Sequence, residues 1–113
     1  MRPLTQAVVL ATLSAAAALI PSLASAQDAG LDSMHEQRRE GGRVCMSDHF
    51  HYGTGNGSSK KAALADAIGS WQSFTDFEYG GSWARWNRSA SKQVKYGSAA
   101  SGFSADVSSR PCR

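Results

Sequence analysis

His49 and His51 stand one residue apart, and this pair carries the sharpest chemical signal in the 113-residue chain. On a strand, alternate side chains share a face, so the two imidazoles would sit about 6 to 7 Å apart at the backbone and could share one metal ion. Asp48 would then point to the opposite face and His35 lies well upstream, so a third ligand has to come from another element. A purely structural reading turns both rings to solvent from a strand whose other side carries Met46, Phe50 and Tyr52. Because two imidazoles alone hold zinc or copper weakly, metal binding at His49 and His51 is the alternative reading.

Trp83, Arg85, Trp86, Arg88, Lys92 and Lys95 form a second constellation. An indole at the surface beside guanidinium groups can stack on a sugar ring, while the arginines engage carboxylate, sulfate or phosphate through paired hydrogen bonds. If both indoles are buried, the cations are instead a solvated face, the commoner outcome for aromatics at helical spacing. Charge supports the binding reading. The chain is +3 overall, but residues 27–81 hold five basic and eight acidic side chains, whereas residues 82–113 hold six basic ones against Asp106 alone. Such a field favours an anionic glycan, a lipid headgroup or an acidic protein.

Other chemistry has less footing. Cys45 near His49 could act as a nucleophile, but an exported chain with two cysteines offers it Cys112 as a disulfide partner. Gly53-Thr54-Gly55-Asn56-Gly57 is glycine-rich like a phosphate loop, yet GxGxxG spacing is absent and Lys60-Lys61 is followed by alanines. It is expected to be a flexible connector. No serine lies in GxSxG, and Asp76 and Glu78 diverge on a helix. Neither an enzyme nor a cofactor is expected.

The residues that would position these groups follow a leader. Arg2, an apolar run from Ala7 to Ile20 and the small residues Ala24-Ser25-Ala26 predict a signal peptide over residues 1–26. Its apolar core of about 14 residues falls short of the ~20 needed to span a bilayer, so the protein is expected to be exported, periplasmic or secreted, and not transmembrane. Export also removes it from the genome, and no nucleic-acid partner is expected in vivo. Residues 27–43 read as a flexible arm, and residues 44–113 as one small domain. At that size the core is marginal, and a Cys45–Cys112 bridge would add about 4 kcal/mol by chain entropy.

Within the domain, Val44 to Tyr52 alternates as a strand. Ser58 or Ser59 then caps a long helix whose apolar face is Leu64, Ala67, Ile68, Trp71 and Phe74, with the stem of Glu78 or Tyr79. Gly80-Gly81 stops it, and Ser82 caps a shorter helix carrying Trp83, Trp86 and Ala90. Gln93–Tyr96 and Phe103–Val107 predict a hairpin. The expected fold is α+β: a small three-stranded antiparallel sheet packed by one long and one short helix and closed by a disulfide.

Trp71-Gln72-Ser73-Phe74, Glu78-Tyr79-Gly80, Trp83-Ala84-Arg85-Trp86, Ala90, Lys92 and Arg110-Pro111-Cys112-Arg113 resemble the pattern of a group of small exported alphaproteobacterial proteins. The resemblance covers about residues 61–112 and implies export and a shared fold, but no activity. Members often carry further cysteines around the positions of Tyr96 and Ala105, so this chain lacks their additional hairpin disulfide. The first reading of function is a non-enzymatic exported module that binds an anionic partner through Arg85 to Lys95.

Overall fold

The computed structural model describes residues 31–100 and 102–113; the expected signal peptide lies outside the described residues. The strands are β1 (Gln37–Glu40), β2 (Arg43–Met46), β3 (His51–Gly57), β4 (Ala90–Ala99) and β5 (Gly102–Arg110), with one helix, α1 (Lys60–Tyr79), between β3 and β4. Single 3-10 turns lie at Leu31–Met34 and Trp86–Arg88. The α+β class, antiparallel pairing, the long helix and the disulfide match expectation, but there are two sheets, one of two strands and one of three, where a single three-stranded sheet was expected. Among the described residues, no helix is long and apolar enough to cross a membrane.

The main sheet has the order β3-β5-β4, and α1 packs on β3 and β5. Ser59 accepts a hydrogen bond from the Ala62 amide at 3.1 Å and so starts the helix; Gly80, at φ 93°, ends it. Its buried stripe is Ala63, Ala67, Trp71, Thr75 and Tyr79, every fourth residue. Of the expected face, Ala67, Trp71 and Tyr79 lie on this stripe, whereas Leu64 and Ile68 flank the core and Phe74 is exposed. Small residues win the central position because the helix approaches the sheet backbone directly.

That approach explains a second correction. Gly53 to Gly57 is not a connector but most of β3, paired residue for residue with Phe103 to Val107. Gly53, Gly55 and Gly57 face the helix. A Cβ on any of them would lie closer than 3.0 Å to α1. Glycine therefore marks here a strand against which a second backbone lies.

The strand expected from Val44 to Tyr52 is split, with β2 ending at Met46 and β3 starting at His51. β2 pairs with β1, whose residues 37–40 fall in the stretch read as a flexible arm. On its other side β2 receives the chain terminus: Val44 and Arg113 exchange backbone hydrogen bonds at 2.9 and 2.8 Å, and Cys45 lies opposite Cys112. The Cys45–Cys112 bridge spans 67 positions.

The short helix is absent. Gly81 to Trp83 is a turn, Trp86–Arg88 a single 3-10 turn, and Ala90 opens β4. The two indoles serve different clusters, which one helical stripe could not do. Trp83 packs with Met46 and Tyr79, and Trp86 meets Trp71 edge-on at 5.3 Å.

Arg110 ties the two sheets together. Its guanidinium donates to both Glu40 carboxylate oxygens, at 2.5 and 2.7 Å, and to the Met46 carbonyl at 2.7 Å, while Nε donates to Ser91 Oγ at 3.2 Å. Ser91, at φ 56°, sits where the β4–β5 register shifts. The Arg110 hydrogen bonds hold the Glu40 carboxyl well below its ordinary 4.5, at about 2.

Gly55→Ala should destabilise the protein by at least about 1–3 kcal/mol, roughly 10 °C or more in melting temperature, whereas Gly69→Ala on the open side of α1 should stabilise it. Equal effects on thermal melts would contradict the close packing. Because the folded carboxyl of Glu40 lies below its unfolded value, its pairing contributes stability above pH 4.5 that fades as pH falls towards 2. Glu40→Gln should therefore lose stability at pH 7 and show a flatter decline between pH 4.5 and 2 in denaturant titrations.

Candidate metal centre

The three-four spacing of α1 turns Trp71, Thr75 and Glu78 towards the first residue of β3, His51. Trp71 Nε1 donates to the His51 carbonyl at 3.1 Å and fixes the backbone there. Thr75 Oγ1 donates to the Trp71 carbonyl at 2.8 Å, so its oxygen accepts from His51 Nδ1 at 2.8 Å. With Nδ1 as the donor to Thr75, Nε2 is left facing Glu78. Such an outer hydrogen bond is how metal-binding imidazoles are oriented.

His51 is 1% exposed, so the expectation of two solvent-facing histidines is corrected. The side that faces solvent belongs to Tyr52, at 67% exposure. His49 precedes β3 instead of sharing its face with His51, and the two rings meet edge-on with centroids 5.0 Å apart. The third donor is Glu78, in the last turn of α1. Donor atoms of His49, His51 and Glu78 all lie within 4.8 Å of one another.

His51 Nε2 and Glu78 Oε2 are 2.7 Å apart, yet neither has an aligned hydrogen-bond partner. Burial pushes the His51 imidazole down to about 4, and His49 and His35 add to the shift. His49 is likewise pushed below its ordinary value, first by burial and then by His35, with Glu78 opposing. His51 Nε2 thus faces the Glu78 carboxyl oxygen at 2.7 Å with no aligned hydrogen bond between them. A divalent cation held here would take both atoms as ligands. His49, His51 and Glu78 would hold such a cation, with small adjustments of their side chains to suit tetrahedral zinc.

Aromatic rings wall the site. Tyr79 stacks on His51 at 4.7 Å, Phe74 lies at 4.7 Å on a tilted plane, and His35 stacks on His49 at 4.1 Å. The Tyr79 hydroxyl is buried without a partner, and burial pushes its ionisation up, aided by Glu78 and Asp32.

The basic segment is arranged differently. Trp83 is 1% exposed and Trp86 half-buried, with the Lys92 ammonium 5.9 Å from the Trp86 ring. Lys92 donates to the carbonyls of Asn87 and Ser89, Arg85 is exposed, and Arg88 is half-buried. Lys95 lies on β4 opposite Asp106. These six side chains do not line one surface: Trp83 belongs to the core around Met46, and Lys95 projects from the sheet face away from α1.

Sequence reasoning identified the two histidines and missed Glu78 and Thr75. The available signal was their spacing from Trp71, which makes one helical side polar just where His51 needs partners. Comparison with family models, curated proteins and solved structures returned no match.

Proposed function

We propose that this protein binds a divalent d-block cation, zinc by its donor set, through His49, His51 and Glu78. The observation that carries this reading is the buried Nε2 of His51, without a hydrogen bond and 2.7 Å from an equally unaligned Glu78 oxygen. Imidazole nitrogens and one carboxylate suit zinc, nickel, cobalt or copper(II) better than calcium or magnesium, which prefer oxygen alone. The role is exported and non-enzymatic at its simplest: metal capture in the periplasm or outside the cell. A disulfide of the kind joining Cys45 and Cys112 is characteristic of an oxidising compartment. The anionic-partner reading has less support, because Trp83 is in the core, Trp86 is only half-exposed and Lys95 lies on the sheet face away from α1.

Calorimetric titration of the oxidised, chelator-treated protein with zinc should give one equivalent. His49→Ala and Glu78→Gln should each weaken binding by more than about tenfold. Thr75→Val, which frees the His51 ring without removing a donor, should weaken it by about 10–100-fold. Absence of saturable binding, or equal affinity in the His49→Ala, Glu78→Gln double variant, contradicts the proposal.

A further inference from the structure

Resting on that reading of the metal site, we infer that the bound cation keeps one coordination position open to a small, uncharged external donor. Among the described residues, no fourth histidine, cysteine or carboxylate joins the His49, His51 and Glu78 set. Structural zinc sites close with four protein ligands, whereas three ligands including two imidazoles and a carboxylate leave a position for water or substrate. His35 is the nearest further imidazole, but it stacks face to face on His49 at 4.1 Å instead of converging on the shared point.

The direction of the open position follows from what surrounds the site. Tyr79 and Phe74 flank the His51 ring and Thr75 holds its far nitrogen, so that side is closed. On the His49 side lies a depression of about 120 Å³, lined by His35, Glu36, Asp48 and His49. It has room for several waters or one small molecule. Glu36 and Asp48 are both exposed at its rim, and their carboxylates disfavour an incoming anion while tolerating a neutral nitrogen or oxygen donor. In the absence of such a donor, water fills the position.

Cobalt(II) reports its coordination through visible absorption and serves as the probe. The oxidised protein would be loaded with one equivalent of cobalt, retention checked by dialysis, and the spectrum followed during titration with imidazole and, separately, azide. The expected result is a saturable spectral change with imidazole while cobalt remains bound. Azide should bind the wild type weakly and gain roughly fivefold in a Glu36→Gln, Asp48→Asn double variant, as removal of two nearby charges predicts. Retained cobalt with a spectrum indifferent to imidazole overturns the open position and leaves metal binding standing. Cobalt stripped out by imidazole also overturns it. No cobalt retention in the absence of imidazole overturns both.

Discussion

The contact between the glycine face of β3 and the alanine stripe of α1 governs the structure. With Gly53, Gly55 and Gly57 opposite Ala63, Ala67 and the start of Trp71, the helix lies on the strand's backbone instead of on a layer of side chains. This closeness has a functional consequence further along the same pair of elements. Past the glycines, the first large residue of β3 is His51, and past the alanines the helix presents Trp71, Thr75 and Glu78. The short distance set by the small residues is what lets a helix hydroxyl and a helix carboxylate reach the two nitrogens of one ring.

The second sheet solves a different problem. A core built mainly from alanine, one tryptophan and one valine is thin, and the chain compensates by tying its ends together. The terminal residues pair with β2, the disulfide closes a span of 67 positions, and Arg110 joins Glu40, Met46 and Ser91 across both sheets. Removing a single partner would leave a buried guanidinium or an unsatisfied carboxylate, so these contacts act as a unit. The basic balance of the last third is partly spent in this way, since Arg110 is internal and the Arg113 guanidinium lies 5.1 Å from the Trp83 ring.

The sequence displayed the long helix clearly, because Ser59, Gly80 and three-four spacing are local signals. It displayed the disulfide through the even count of two cysteines. What it concealed were features set by tertiary contact. Glycines usually punctuate a strand, and only the helix backbone lying against them explains why five residues containing three glycines remain extended. Trp83 and Trp86 have helical spacing but are drawn to separate clusters. The histidine pair was legible as a donor pair, whereas Glu78 was read as part of an apolar face because its polar end faces His51, a partner remote in sequence.

The metal reading unites features that are otherwise separate: a buried imidazole held by Thr75, a Glu78 oxygen 2.7 Å from its Nε2 without an aligned hydrogen bond, and a second imidazole alongside. The most direct measurement is a crystal structure of the oxidised protein grown with zinc and recorded at the zinc absorption edge. The account predicts one anomalous peak bonded at about 2.0–2.2 Å to His51 Nε2, a Glu78 oxygen and a nitrogen of His49. No peak at that point, with His51 Nε2 and Glu78 joined by an aligned hydrogen bond, would contradict it.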